Sequence, residues 1–234
     1  MMEMTMNASQ SAGAARMNQR ILLVDDHVLM RKGLIELING ESGLEVCGEA
    51  GNLGEACEQA SRLKPDLVIV DISLDGNDGV ELTKELSRRW PDLPILAYSM
   101  HEEEIYAERV LRAGAKGYVM KRHSPEMLLE AIEQILRGKV FLSDRMSERM
   151  LGKIMRTGEP PEETSPIDKL SDRELEVFRL IGQGMSTNQI AEKLCLSVKT
   201  IETYREHLKQ KLNLKSGLEL MRRAVEWAVQ RPQA

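Results

Sequence analysis

Short apolar runs alternate five times with segments of helical periodicity between Arg20 and Arg137. Runs such as Ile21–Val24 and Leu67–Val70 have the length of strands and are apolar at every position. Strands of this kind are buried on both faces, which requires a parallel sheet covered by helices on each side. Right-handed crossovers between the strands then predict a doubly wound α/β domain.

Breaker residues and composition divide the chain into four parts. Residues 1–19 carry no apolar period and are interpreted as a loose extension, within which Met17 is an alternative start. Residues 20–138 hold the α/β domain, residues 139–166 form a linker with a polar, proline-rich and acidic stretch, and residues 167–234 show purely helical periodicity. The predicted strands are 21–24, 44–47, 67–70, 95–98 and 118–120, and the predicted helices are 28–38, 53–63, 80–90, 102–113, 124–137, 146–155, 172–183, 187–194, 198–212 and 217–229.

The net charge of −5 is unevenly distributed. Residues 167–234 contain 12 Lys and Arg against 9 Asp and Glu, whereas the remainder contains 20 against 28, so the two parts are expected to have different partners. Three cysteines without CxxC spacing indicate buried small side chains in a reducing cytoplasm rather than disulfides or zinc. No apolar run reaches the roughly 20 residues that span a bilayer, and no secretory signal is visible, so we expect a cytoplasmic protein without membrane contact.

Polar groups follow the strands at the edge where an open parallel sheet binds ligands. Asp25 and Asp26 follow the first strand, Asp71 the third, Ser99 the fourth and Lys121 the fifth. Three carboxylates repel one another unless a cation lies among them, and Mg²⁺ is a hard, oxygen-preferring ion that suits them. A metal, an ammonium and a hydroxyl together stabilise a transferring phosphoryl group, which a carboxylate can accept as an aspartyl phosphate. Asp71 is the central candidate, because Asp25 and Asp26 are better placed to hold metal.

A single aspartate at a strand end is more often a turn former or a helix cap than a functional group. Mutually consistent groups at four strand ends favour the functional interpretation. An enzyme such as a phosphatase with an Asp-x-Asp nucleophile is the alternative, but no such motif follows a strand here. We therefore predict a protein that is not an enzyme.

Residues 20–137 resemble the receiver domain of bacterial two-component response regulators, a flavodoxin-like domain. The resemblance lies in Ile21–His27, Pro65–Leu74, Asp78–Gly79, Ser99 and Gly114–Lys121. The resemblance implies a sensor histidine kinase as phosphoryl donor and Asp71 as phospho-acceptor. It implies that Mg²⁺ is held directly by Asp26, Asp71 and the Ser73 backbone carbonyl, with Asp25 acting mostly through water. It further implies that Ser99 and Lys121 bind the phosphoryl oxygens and that Tyr118 is the aromatic that reorients with Ser99.

Three positions near this site need comment. The family usually has a proline where this chain has Asp75, and an extra acid there is expected to alter phosphorylation or the lifetime of the aspartyl phosphate. Tyr118 has an alternative interpretation as a half-buried strand residue with its hydroxyl at the surface. Met100 and His101 are interpreted as loop residues that open the fourth helix, not as ligands.

The last part of the chain predicts a helix-turn-helix. Ser171 and Ser186 are predicted helix caps, and the tight turn Cys195–Ser197 separates a short helix from a longer one. By itself this pattern also fits plain packing. Residues 170–229 resemble the four-helix DNA-binding domain of the NarL/LuxR type through Leu170–Val177, Gly182–Ala191, Leu196–Arg205 and Lys211–Asn213.

This second resemblance implies that the helix from Val198 enters the major groove of double-stranded DNA. Lys199, Thr200, Arg205 and Lys209 are the expected phosphate contacts, and Glu202, Thr203 and Glu206 the expected base readers. Alternatively Glu206, and less readily Glu202, only pairs with Arg205 or Lys209 on the helix surface.

Together the two parts predict a transcription regulator controlled by phosphorylation. Phosphorylation is expected to free the helical domain or to promote homodimerisation, through the last helix at Leu218, Met221 and Val225. RNA polymerase is a further candidate partner. A phosphorylated module whose helical domain binds protein is the alternative, and salt-dependent DNA binding distinguishes the two.

Overall fold

The computed structural model describes residues 18–74, 79–156 and 166–230, and at 153–156, 168, 169, 172 and 230 it describes the backbone alone. Its strands are β1 (Gln19–Val24), β2 (Leu44–Ala50), β3 (Leu67–Val70), β4 (Ile95–Ser99) and β5 (Gly117–Met120). They form one sheet in the order β2-β1-β3-β4-β5, and each neighbouring pair is parallel. The chain winds first to one side of β1 and then to the other, which confirms the doubly wound fold.

The helices of the first domain are α1 (Val28–Asn39), α2 (Leu53–Leu63), α3 (Gly79–Arg89), α4 (Glu103–Arg112) and α5 (Pro125–Leu136). On one face of the sheet, Ile21 and Leu23 of β1 pack with residues of α1 and α5. On the other face, Leu22 and Val24 pack with residues of α2 and α3. This two-sided burial is why β1 is apolar at every buried position.

The edge strand β2 differs from the central strands. Most of its residues are only half-buried, and the polar Glu45 and Glu49 lie within it. Its pairing with β1 is irregular between Ile21 and Leu22. The sequence therefore predicted its end at Cys47, although the strand continues to Ala50.

The described chain after α5 is helical, as predicted, and its first helix lies within the predicted linker 139–166. It contains α6 (Asp144–Arg156), a 3₁₀ turn (Pro166–Lys169), α7 (Asp172–Gly182), α8 (Thr187–Lys193), α9 (Val198–Lys211) and α10 (Gly217–Gln230). Ser171, Ser186 and Ser197 cap α7, α8 and α9, each side-chain oxygen accepting the backbone N–H three residues on. Phe178 of α7 and Trp227 of α10 pack in the core between these helices, with ring centroids 5.8 Å apart.

The prediction of three buried cysteines is wrong for two of them. Cys57 is buried, but Cys47 on the edge strand is half-buried and Cys195 is exposed. Cys195 lies in the turn between α8 and α9 with a φ of 53°, so the surface turn rather than the core determines its position. In the part of the chain that the structure describes, no helix is both long and apolar enough to cross a bilayer. The expectations for Asp75, for residues 1–17 and for 157–165 of the linker lie outside the described residues.

Candidate functional site

Backbone pairing fixes the residues that follow the strands. The Asp71 N–H donates to the Val24 carbonyl at 2.7 Å, and the Lys121 N–H donates to the Ser99 carbonyl at 2.7 Å. The Asp25 N–H likewise donates to the last residue of β2 at 3.1 Å. These bonds continue the ladder past the strand ends, so the side chains are held at the carboxyl edge by the sheet itself.

The Lys121 ammonium joins two of the predicted carboxylates. Its Nζ lies 2.6 Å from Asp25 Oδ2 and 2.7 Å from Asp71 Oδ2. All three side chains are almost fully buried, with 3 to 4 % of their surface exposed. Two backbone N–H groups also donate to these carboxylates, from His27 to Asp25 Oδ1 at 2.7 Å and from Ser73 to Asp71 Oδ1 at 2.9 Å.

Burial and charge act in opposite directions on this pair. Burial raises the pKa of Asp71 above its ordinary value, and the Lys121 ammonium only partly offsets this. Burial alone would lower the pKa of Lys121, but the Asp71 and Asp25 carboxylates outweigh it and raise the pKa. The lysine therefore stays charged, and Asp71 is a carboxylate whose negative charge the site must stabilise.

The site has the donor set of a hard cation. Single ligand atoms of Asp25, Asp26, His27 and Asp71 all lie within 4.8 Å of one another. Three carboxylates against one ammonium leave two negative charges, which one divalent cation would neutralise. The sequence did not single out His27, whose Nδ1 lies 2.8 Å from Asp26 Oδ1. The arrangement is compatible with Mg²⁺.

Gly79 lies against the backbone of Asp71 and Ile72. A Cβ at this position would lie 2.5 Å from the Asp71 carbonyl and 2.5 Å from the Ile72 Cα. Because both neighbours are backbone atoms, a larger residue at this position would displace the backbone of Asp71 and Ile72. This accounts for the glycine of the Asp78–Gly79 pair in the resemblance, whereas Asp78 lies outside the described residues.

The two predicted switch residues meet at His101. The His101 N–H donates to Ser99 Oγ at 3.2 Å, and the Tyr118 hydroxyl donates to the His101 carbonyl at 3.0 Å. Tyr118 is buried, so the alternative of a half-buried side chain with a surface hydroxyl is wrong. His101 does lie in the loop before α4, but its side chain is largely buried.

The sequence did not predict that His101 contacts the candidate site. Its Nε2 lies 2.8 Å from Ser73 Oγ, and its ring stacks on Tyr106 with centroids 4.4 Å apart. Its Nδ1 lies 3.9 Å from Glu176 Oε1 on α7. Burial lowers the pKa of His101, which favours a neutral ring. The only available signal was its place two residues after Ser99.

On α9 the predicted DNA-contacting residues differ in accessibility. Lys199, Glu202, Thr203 and Glu206 are exposed, whereas Thr200, Arg205 and Lys209 are half-buried. Glu206 Oε1 lies 2.7 Å from Lys209 Nζ, which is the surface pairing that the sequence left open. The Thr203 hydroxyl donates to the Lys199 carbonyl at 3.0 Å, and Thr200 shares a hydrogen bond with Ser197, the helix cap. Among the described residues Glu202 makes no side-chain bond, so it is free to contact a ligand.

An α/β domain with a buried lysine between acids, followed by a helix-turn-helix, is the arrangement that the sequence predicted for a receiver domain joined to a DNA-binding domain. The family of the response regulator receiver domain matches residues 21–133, and the luxR family of bacterial regulatory proteins matches residues 168–224. The response regulator GacA of Pseudomonas aeruginosa is 35 % identical over 88 % of this chain and 95 % of its own length. The oxygen regulatory protein NreC of Staphylococcus carnosus is 36 % identical over 88 % and 97 %. The chain therefore belongs to the response regulators with a LuxR-type DNA-binding domain, which are regulators rather than enzymes.

Solved structures agree with this assignment. RcsB of Salmonella enterica serovar Typhimurium, bound to a promoter in the presence of the phosphomimetic BeF₃⁻, is 27 % identical and matches 88 % of this chain and 97 % of its own with a TM-score of 0.53. A LuxR-family response regulator from Aurantimonas is 35 % identical over 59 % of this chain and 99 % of its own, with a TM-score of 0.55. The RcsB match covers most of this chain, whereas the Aurantimonas match covers about three fifths of it.

Proposed function

We propose that Asp71 accepts a phosphoryl group and that the aspartyl phosphate controls dimerisation and DNA binding by the second domain. The observation that carries this proposal is the Lys121 ammonium buried between Asp71 and Asp25. A buried ion pair is weak evidence for stability, since desolvation offsets much of its attraction. An ammonium at this position can, however, bind the oxygens of a phosphoryl group that is transferred to the neighbouring carboxylate.

The phosphoryl donor in this proposal is the phosphohistidine of a sensor histidine kinase. A carboxylate oxygen of Asp71 attacks the phosphorus, the P–N bond of the donor breaks, and the leaving imidazole keeps the electron pair and takes up a proton. Lys121 and the Ser99 hydroxyl donate hydrogen bonds to the phosphoryl oxygens. The Ser99 hydroxyl proton is available for this because Ser99 Oγ acts as the acceptor for the His101 N–H.

Asp26, Asp71 and the Ser73 carbonyl would hold Mg²⁺, with Asp25 acting through water. When bound, the ion neutralises charge that develops on the transferring phosphoryl oxygens. Single ligand atoms of Asp25, Asp26 and Asp71 lie within 4.8 Å of one another. The Ser73 N–H donates a hydrogen bond of 2.9 Å to Asp71 Oδ1, which keeps Ser73 close to this group.

DNA binding is assigned to α9. Lys199 and Glu202 project into solvent at the N-terminal end of this helix, where base contacts of a helix-turn-helix concentrate. Arg205 and Lys209 are the proposed phosphate contacts of this helix because they are cationic; both are half-buried, and Lys209 pairs with Glu206.

Dimerisation is assigned to α10. Leu218, Met221 and Val225 are exposed, and their spacing places them on one face of the helix. Two RcsB dimers have been captured on two parallel DNAs, which supports a dimer as the DNA-bound form of this chain. Half-sites about one helical turn apart are then expected. Contact with RNA polymerase stays a prediction from the sequence.

Phosphate transfer tests the proposal directly. Wild-type chain incubated with a small phosphodonor and Mg²⁺ should gain one base-labile phosphoryl group by intact-protein mass spectrometry. Asp71→Asn should gain none, and Asp26→Ala should need more Mg²⁺. Asp92→Asn, an exposed aspartate in the turn before β4, is the matched control and should behave as wild type. Undiminished labelling of Asp71→Asn would rule out this acceptor.

A further inference from the structure

The His101 imidazole contacts Ser73 in the first domain and Glu176 on α7 in the second. His101 Nε2 shares a hydrogen bond of 2.8 Å with the Ser73 hydroxyl, and Ser73 is two residues from Asp71. On its other side, His101 Nδ1 faces Glu176 Oε1 of α7 at 3.9 Å. Only 10 and 11 % of these two side chains is exposed, so the contact is largely shielded from water.

Three side chains surround the His101 ring. Tyr106 of α4 stacks on it with an interplanar angle of 16°, Ser73 contacts one nitrogen and Glu176 faces the other. A neutral ring with its proton on Nδ1 presents an N–H to the Glu176 carboxylate and accepts the Ser73 hydroxyl proton at Nε2. Glu176 Oε2 also pairs with the Arg173 guanidinium at 2.7 Å, while Glu176 Oε1 faces the ring.

The two domains also meet beside this contact. The Arg109 guanidinium of α4 donates to the Leu170 carbonyl directly before α7. The Arg149 guanidinium of α6 donates to the Glu104 carbonyl at 3.1 Å, and buried Glu103 accepts the Ser143 N–H at 3.0 Å. Helix α4 therefore contacts both α6 and the residues just before α7. The contact between His101 and Glu176 extends this interface to Ser73, two residues after Asp71.

We propose that His101 is a positioning residue through which the second domain acts on the aspartyl phosphate: docked α7 holds the imidazole over Ser73 and thereby slows hydrolysis at Asp71. Hydrolysis needs a water molecule in line with the bond between phosphorus and the carboxyl oxygen. A ring held against the loop restricts that approach, and a ring released from Glu176 does not. The lifetime of the signal thus depends on whether the DNA-binding domain is docked. This inference rests on the proposed phosphorylation of Asp71.

A double-mutant cycle in the full chain tests the proposal. The chain is phosphorylated with a small phosphodonor and Mg²⁺, the donor is removed, and loss of the phosphoryl group is followed by intact-protein mass spectrometry. Glu176→Ala and His101→Ala should each accelerate loss on the order of fivefold, the low end of couplings between sites. The double variant should be no faster than His101→Ala, because Glu176 acts through the ring. Glu192→Ala, an exposed glutamate of α8, is the matched control and should match wild type.

The Mg²⁺ affinity distinguishes a positioning role of Glu176 from a general disruption of the acidic pocket. Calorimetry should give the same Mg²⁺ affinity for Glu176→Ala and wild type, because Glu176 is not among the proposed metal ligands. The inference is overturned if Glu176→Ala loses phosphate at the wild-type rate, if the two substitutions have additive effects, or if faster loss accompanies weaker Mg²⁺ binding. A wild-type chain that takes up no phosphate overturns the proposed function and this inference with it. If the wild-type chain is phosphorylated but Glu176→Ala does not change the rate of phosphate loss, the inference is overturned and the proposed function is not.

Discussion

Replacing Lys121 by methionine should destabilise the first domain when no divalent ion is present. The substitution keeps an unbranched chain of similar length and removes the ammonium that lies between Asp25 and Asp71. Loss of one partner of a buried ion pair costs about 3–5 kcal/mol, because the remaining charge is buried without compensation. Each carboxylate keeps one backbone hydrogen bond, from His27 and from Ser73, so we expect about 3 kcal/mol, the lower end of that range.

Urea denaturation followed by circular dichroism measures this loss, with one series in a chelator and one in Mg²⁺. Mg²⁺ at a hundred times its Kd stabilises a protein by about 2.7 kcal/mol, and it should restore most of the loss in the variant because it replaces the missing positive charge. Lys116→Met, an exposed lysine just before β5, is the control and should change the stability by less than about 0.5 kcal/mol. If Lys121→Met is no less stable than Lys116→Met in chelator, or if Mg²⁺ does not rescue it, the electrostatic account of the site is wrong.

The remaining predictions concern DNA. Glu202→Ala should relax the preference at one operator position in a binding selection and leave the salt dependence almost unchanged, whereas Lys199→Ala should weaken all sequences alike and reduce the salt slope by about one. Lys209→Ala should reduce the slope by less than Lys199→Ala, because Glu206 already pairs with Lys209; equal slopes would show that this ion pair opens on DNA. Met221→Asp places a charge on the exposed face of α10, and sedimentation should then show one chain on a single half-site instead of a dimer on two. A variant that still binds DNA as a dimer would show that this face is not the dimer interface.

The central strands and their terminal acids were predictable because one physical constraint fixes both. A strand that is apolar at every position must be buried on both faces, and its first polar residue then marks the edge of the sheet. This logic placed Asp25 after β1 and Asp71 after β3, and the structure brings both onto Lys121. The half-buried edge strand β2 gave a weaker pattern, and its end was misplaced for that reason.

Contacts between separate parts of the chain were not predictable from local patterns. His101 has no periodic neighbour and no motif of its own, and its importance comes from Ser73, 28 residues away, and from Glu176 in the second domain. The pairing of Glu206 with Lys209 was predicted as the alternative to base contact by Glu206, because side chains three residues apart lie on the same face of a helix.

The most direct test of the account is the DNA affinity of the full chain as a function of phosphorylation at Asp71. Fluorescence anisotropy on an operator obtained by binding selection, at one fixed salt concentration, should show tighter binding by wild type after treatment with phosphodonor and Mg²⁺. Asp71→Asn should keep the basal affinity and show no response to the donor. A wild-type affinity that stays the same at full phosphorylation, or an Asp71→Asn chain that responds as strongly as wild type, would contradict the account.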